Sequence, residues 1–282
     1  MAVSNSLTTK ANQKMGMTAY LTQDAVKDQI NKVLGGKNGT RFITSIVSAV
    51  NNNEQLQQCT NQSILSAALL GESLNLSPSP MLGYYYMVPF NDKNKGKVAQ
   101  FQIGYKGLIQ LAIRSGQYKK INVMSIKKGE LEYFDPLNEE IKVKLMVDNW
   151  DAREKAETIG YYAMFELVNG FKKAIYWSKD QMEAHALQYS QGYRAKKGYT
   201  FWEKDFDAMA HKTLLRQLLS KWGIMSTELQ AAVEADEAVI NEDGSKTYVE
   251  TEEVIDVQEP TLVEEPAPAP DQDPAAALFG GK

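Results

Sequence analysis

Between Gly192 and Trp202 the chain reads Gly-Tyr-Arg-Ala-Lys-Lys-Gly-Tyr-Thr-Phe-Trp, three cations and four aromatic rings in eleven residues. Cations that track phosphates and flat rings that stack on unpaired bases are the combination that holds single-stranded nucleic acid. Arg194, Lys196, Lys197 and Tyr199 carry that expectation. The competing reading is a solvated loop whose rings, Phe201 and Trp202 first among them, anchor it to a core. Lys212 and Arg216 follow, one helical turn apart and roughly 40° apart around the axis, a pair suited to successive phosphates or to an ordinary solvated face. Asp207 and His211 share a face at the same four-residue spacing. That geometry suits two ligands of a divalent metal, and so a metal-dependent nuclease or nucleotide-processing enzyme; a local helix contact is the simpler reading.

Other chemistries lack their residues. Neither Gly36-Lys37 nor Gly96-Lys97 has the leading glycine or the trailing Ser/Thr of a phosphate-binding P-loop. The zincin helix motif and the nucleophile elbow are missing. Cys59 is the sole cysteine and has only His185 and His211 beside it, which excludes an internal disulfide and a Cys/His zinc site of the usual spacing. Paired carboxylates at Glu139-Glu140 and Glu252-Glu253 are adjacent in sequence and so point apart in a strand. The residues contain no catalytic constellation.

The net charge of -4 conceals two regions. Residues 1–225 hold 29 Lys+Arg and 20 Asp+Glu, a balance of +9, and residues 226–282 hold 2 and 15, a balance of -13. A basic body with an acidic tail selects a different partner from the one the average suggests. The longest apolar stretch, Ile64 to Leu70, is far short of a membrane span. The first twenty residues carry no hydrophobic run before a small-residue cleavage site. A cytoplasmic protein without a membrane partner is expected.

The elements that must position these residues follow from periodicity. Met1–Leu21 reads as a mobile N-terminal arm, residues 22–238 as the core, and 239–282 as a disordered acidic tail with five of the nine prolines, eleven acidic residues and two aromatics. Helical spacing predicts a helix from Thr22 to Gly35, a second through Phe42 to Val50, and a third from an N-cap at Thr60 to about Leu74. Two β-rich runs, Tyr84–Phe90 and Val98–Gly104, predict a hairpin with a basic tip at Asp92–Lys97. A helix from Tyr105 to Ser115 follows. Strands at Ile121–Lys127, Ile141–Val147, Thr158–Val168 and Lys172–Trp177, the last two joined by Asn169-Gly170, predict one antiparallel sheet. Helices at Lys179–Tyr189 and Glu203–Trp222, then one from Ser226 or Thr227 to about Ala238, complete an α+β body: N-terminal helices, a β-hairpin, and a small antiparallel sheet packed with helices.

The segment from Gln100 to Gly116, Gln-Phe-Gln-Ile-Gly-Tyr-Lys-Gly-Leu-Ile-Gln-Leu-Ala-Ile-Arg-Ser-Gly, is a strand entering a helix through Gly104 and Gly107. Here the chain resembles the RecT family of phage and prophage single-strand annealing proteins. The resemblance continues at Leu76-Ser77-Pro78, at Tyr84–Pro89, and from Phe201-Trp202 through Met209-Ala210-His211-Lys212-Thr213-Leu214-Leu215-Arg216, covering about residues 20–235. It implies an ATP-independent protein that binds single-stranded DNA in an oligomer, a helical filament or ring, and pairs it with a complementary strand through an annealed duplex intermediate. It implies no required cofactor, with a magnesium effect left open. By position it carries DNA contact to Gln102, Tyr105, Lys106, Arg114, Trp202, Lys212, Thr213 and Arg216. Family members also use their C-terminal regions to engage a partner exonuclease and the host single-strand-binding protein, although this tail matches no family motif.

Overall fold

A computed structural model of the chain describes residues 15–34, 39–79, 81–92, 95–138, 140–198, 200–241 and 243–248. The N-terminal layer is helical: α1 (Met17–Leu21), α2 (Asp24–Leu34), α3 (Gly39–Asn51), α4 (Glu54–Gln57) and α5 (Asn61–Ser73). The expected arm covers residues 1–21; residues 1–14 lie outside the described residues, and Met17–Leu21 is a helix. Its apolar pair at i and i+4, Met17 and Leu21, is buried, and the Asn61 side chain donates to the Met15 carbonyl at 2.8 Å. Val26 and Ile30 of α2, and Phe42, Ile46 and Val50 of α3, are the buried stripes that the periodicity predicts. Thr60 caps α5, its hydroxyl accepting from the Ser63 amide. That helix is buried on nearly every side, and a Cβ at Gly71 would fall 2.3 Å from the Tyr85 ring.

The hairpin comes next, β1 (Tyr85–Asp92) against β2 (Gly96–Ile103), in register from Tyr85 opposite Ile103 to Asp92 opposite Gly96. The ladder extends further into the tip than composition suggests, because Gly96 adopts φ +72° and closes the turn. Gly104 then starts α6 (Tyr105–Arg114). A Cβ at Gly104 would sit 2.2 Å from the Gly83 carbonyl oxygen, and one at Gly107 would sit 2.1 Å from that of Tyr84. Both glycines therefore serve the close backbone approach that their spacing implied.

The middle of the chain holds β3 (Tyr118–Lys127), β4 (Leu131–Asp135), β5 (Glu140–Val143), α7 (Trp150–Lys155), β6 (Thr158–Leu167) and β7 (Lys172–Ser178). The expected single four-stranded sheet is two sheets. Strands β3, β6 and β7 form one antiparallel sheet with β6 central, whereas β5 pairs with β4 in a separate two-stranded ribbon. The physical reason is local: β4 precedes β5 by a four-residue turn, and that short loop closes at less entropic cost than a long return to β3. The ribbon is held to the sheet by Glu130. This fully buried carboxylate accepts from Arg153 Nε at 2.7 Å, Arg153 Nη2 at 3.1 Å, and the amides of Lys127 and Met146 at 2.8 and 3.0 Å. Burial pushes the Glu130 carboxyl up, but the Arg153 guanidinium and the two amides outweigh it and hold the group below the usual carboxylate range.

The chain ends in α8 (Lys179–Tyr189), α9 (Gln191–Arg194), α10 (Phe201–Lys204), α11 (Phe206–Trp222), α12 (Thr227–Ala235), β8 (Ala238–Ile240) and β9 (Lys246–Tyr248). The long helix expected from Glu203 breaks at Asp205, whose carboxylate accepts from the Ala208 amide at 2.9 Å and starts α11 afresh. The expected acidic tail from Val239 is also corrected at its start. β8 pairs with β2 through Ala238 opposite Phe101, giving the order β1-β2-β8-β9, and Val239 and Ile240 are buried. Residues 249–282 lie outside the described residues. The architecture is α+β, with α11 packed between the sheet, α6 and α10. Among the described residues no helix is long and apolar enough to cross a membrane.

Gly107 gives a test with a diagnostic sign. Helix propensity alone favours Gly107→Ala by about 1 kcal/mol, whereas the carbonyl contact predicts a loss of about 1–3 kcal/mol from overpacking. Urea denaturation of the two proteins decides; equal or higher stability of the variant would contradict the close approach.

Candidate nucleic-acid interface

The two family-like segments meet in space. Tyr105, in the first turn of α6, lies edge-on to His211 of α11 with ring centroids 5.5 Å apart. His211 in turn meets Tyr161 of β6 at 5.9 Å, Tyr161 meets Phe206 at 6.2 Å, and Phe206 meets Tyr193 and Trp202 at 6.1 and 5.1 Å. A row of rings, half-buried at Tyr105, His211, Phe206 and Tyr193 and fully buried at Tyr161, thus links the strand-to-helix junction to the Arg194 segment. Alongside it, Tyr86, opposite Gln102 in the hairpin register, contacts Phe201 at 6.1 Å.

Beneath the row is a polar cluster centred on Asp207. Its carboxylate accepts from Tyr161 Oη at 2.6 Å, Ser125 Oγ at 3.0 Å and Thr158 Oγ1 at 3.3 Å. Ser125 Oγ also lies 3.1 Å from His211 Nε2, and Lys127 Nζ donates to Thr158 Oγ1 at 2.8 Å. Asp207 and His211 do share a face, as their spacing predicts, with the Ser125 hydroxyl bridging them. Among the described residues no group of three or more His, Cys, Asp and Glu is gathered where it can hold a metal ion. Burial pushes the Tyr161 hydroxyl well above the usual range, and the Asp207 hydrogen bond and charge push it the same way. Burial, with Lys127 adding to it, lowers His211 against the opposing pull of Asp207 and Asp205.

The remaining candidate residues divide sharply. Lys106 is exposed, its ammonium 6.0 Å from the Tyr105 ring, and Gln102 is half-buried on β2. Arg194, Lys196 and Lys197 are exposed at the end of α9, Lys196 with φ +49°. Tyr199 lies outside the described residues. Thr213 is half-buried on α11. Arg114 sits at the far end of α6, where its guanidinium donates to the Leu74 carbonyl at 2.9 Å and satisfies the end of α5. Trp202 is 8 % exposed and packs on Tyr193 and Phe206, which makes it the core anchor and not a stacking platform.

Lys212 and Arg216 require a correction. Both turn toward Asp236, a fully buried carboxylate just after α12: Lys212 Nζ lies 2.9 Å from Oδ1 and Arg216 Nη1 lies 3.1 Å from Oδ2, and the expectation of a solvent-facing cation fails for Lys212 but not for Arg216, whose side chain stays 39 % exposed. Asp236 Oδ1 also accepts from the Ile103 amide at 3.1 Å. Lys212 is 6 % exposed, so its charge neutralises Asp236 and not a phosphate. Sequence reasoning missed Ser125, Thr158, Tyr161 and Asp236; Ser125 is 82 residues from Asp207, and no local pattern announces such a contact.

Two outcomes follow. Asp236→Ala leaves the buried Lys212 ammonium with only the exposed Glu237 carboxylate, 3.9 Å away, and should lower stability by about 3–5 kcal/mol, read by denaturant titration, with Lys212→Met in the same chain recovering part of the loss. No change on Asp236→Ala would remove the ion pair from the account. Because folding lowers the His211 pKa, the unfolded chain binds more protons just below pH 6.5, and stability should fall as the pH drops through that value. His211→Gln should flatten that slope in thermal unfolding between pH 7.5 and 5; an unchanged slope would rule out His211 as its source.

Comparison with known proteins places the chain in a family. The RecT family model matches residues 40–253. The uncharacterized protein YqaK of Bacillus subtilis strain 168 is 42 % identical over 242 residues, covering 84 % of this chain and 79 % of its own length. Protein RecT of Escherichia coli K12 is 29 % identical over 223 residues, covering 78 % of this chain and 79 % of its own. With the family model matching residues 40–253, more than two thirds of the chain, and a 42 % identical relative covered to 79 % of its length, the chain belongs to the RecT family.

Proposed function

We propose that this chain binds single-stranded DNA along the face between α6, α9 and α11 and anneals complementary strands in recombination, without ATP and without covalent chemistry. The observation that carries the reading is the meeting of Tyr105 and Lys106 with the Tyr193–Arg194 segment through one continuous row of rings. Lys106, Arg194, Lys196 and Lys197 neutralise phosphates from exposed positions, and Lys127 reaches the same face from β3. Neutralisation releases condensed counterions and lowers the repulsion that opposes a second strand. The contacts go to the backbone, because an annealing protein accepts any sequence and must leave base edges available for pairing. Gln102 and Thr213, both half-buried at the margins of this face, supply neutral hydrogen bonds.

Lys212, Arg114 and Trp202 act in this reading by positioning the face, and Arg216, paired with Asp236 but still part-exposed, adds a cation at its margin. Each protomer covers a few nucleotides, so continuous coverage calls for side-by-side copies, a filament or ring held in part by the N-terminal helices. In a bacterial cytoplasm the chain would then work with an exonuclease that exposes its substrate and with the host single-strand-binding protein.

Affinity for an oligonucleotide should fall with salt at a slope of about -0.7 per neutralised phosphate, so that three contacts give roughly -2 in log K against log salt. Lys106→Ala and Arg194→Ala should each weaken binding equally on poly(dT) and mixed sequence and make the slope shallower by less than about one. A slope near zero in the unaltered protein, or variants that bind as tightly as it does, would contradict the assignment of this face.

A further inference from the structure

Strand β7 is an edge of its sheet: β6 pairs with one side, and among the described residues no strand pairs with the other. The Leu167 amide donates to the Phe171 carbonyl at 2.8 Å, which sets the alternation. Lys173, Ile175 and Trp177 bond to β6, while Lys172, Ala174 and Tyr176 turn their backbone groups to the free side. That side is walled. Phe134, Pro136 and Ile141 of the β4–β5 ribbon stand on one flank, with Phe134 4.9 Å from Tyr176, and Lys221 and Trp222 from the end of α11 stand on the other. Between the walls is a groove of about 230 Å³ that runs along residues 173–177. Trp222 is 40 % exposed there, with the Lys173 ammonium 3.6 Å and the Lys221 ammonium 5.3 Å from its ring.

An open backbone edge between apolar walls accepts an extended segment as an added strand, main-chain hydrogen bonds giving affinity and the walls selecting side chains. Lys172 on β7 itself and Lys221 on the wall are exposed at this groove, so the segment it fits is acidic. The chain contains one. Glu252–Glu259 reads Glu-Glu-Val-Ile-Asp-Val-Gln-Glu, four carboxylates and no cation around Val254, Ile255 and Val257, and ends at Pro260, which has no amide to donate. In an extended conformation Ile255 and Val257 face one wall and Val254 the other. The segment starts four residues after Tyr248, the last residue of β9, and is present once per groove on every copy.

We infer that the free edge of β7 is a docking site for this chain's own segment Glu252–Glu259, which adds to the sheet as a strand and fixes the acidic C-terminal region to the basic body. The site lies along β7, separate from the proposed DNA-binding face, and the inference stands whether or not that face binds DNA.

Amide hydrogen exchange of the full-length chain tests it. The Ala174 and Tyr176 amides should exchange at least about tenfold more slowly in the unaltered chain than in Ile255→Asp/Val257→Asp, which leaves every residue of the groove in place. A synthetic peptide of residues 252–259 added to that variant should restore the slow exchange, and Lys221→Glu should weaken the restoration. Equal exchange at both amides in the two full-length proteins would overturn the inference. So would protection that survives the double substitution and disappears on dilution, which would assign the groove to the body of a second copy.

Discussion

The Asp236 side chain has no exposed surface, yet it accepts from the Ile103 amide, the Lys212 ammonium and the Arg216 guanidinium. Taking an unpaired carboxylate out of water costs several kcal/mol, so the arrangement persists only with all three donors in place. Those donors come from the last residue of β2 and from two turns of α11. The same carboxylate sits where α12 gives way to β8, the strand that extends the hairpin sheet. Fixing Ile103 fixes Gly104, and Gly104 fixes the first turn of α6. The position of Tyr105 and Lys106 relative to α11 therefore depends on one buried ionic junction.

A second junction acts on the other side of the face. Glu130 and Arg153 hold the β4–β5 ribbon and α7 to β3, and Arg153 Nη2 also donates to the Ser125 carbonyl at 2.9 Å. The Ser125 side chain is part of the Asp207–His211 cluster. The polar floor beneath the row of rings is thus braced from the sheet as the rings are braced from the helices. Satisfied networks of this kind rigidify a site, which suits the strand-holding role proposed for this face.

Much of the fold was legible because local signals agreed with the tertiary outcome. Thr60 and Ser226 are caps where their types predicted caps, Asn169-Gly170 is a hairpin turn with Gly170 at φ +88°, and Gly104 and Gly107 permit the close approach that their placement implied. The misses have physical causes. Lys212 reads as a surface cation because its partner is 24 residues away and reveals itself only when α12 folds back. Val239 and Ile240 were outweighed by the acidic residues beyond them, since composition averages over a window and a three-residue strand does not. Trp202 by its type suits both a stacking ring and an anchor; two further rings in contact, Tyr193 and Phe206, decide for the anchor.

Of the site, the sequence yields the two segments and the structure yields their meeting. Where they meet, exposed cations stand beside a chain of ring contacts and a cluster of hydroxyls around Asp207. That combination is the basis of the proposed strand-holding role, and membership of the RecT family supports annealing in recombination as its purpose. The most direct measurement is the pairing rate of two complementary oligonucleotides, one carrying a fluorophore and the other a quencher, in EDTA and with no nucleotide present. The account predicts faster pairing with the protein than without it, and a loss of that gain in Lys106→Ala/Arg194→Ala at unchanged thermal stability. Pairing no faster with the protein than without it would contradict the account.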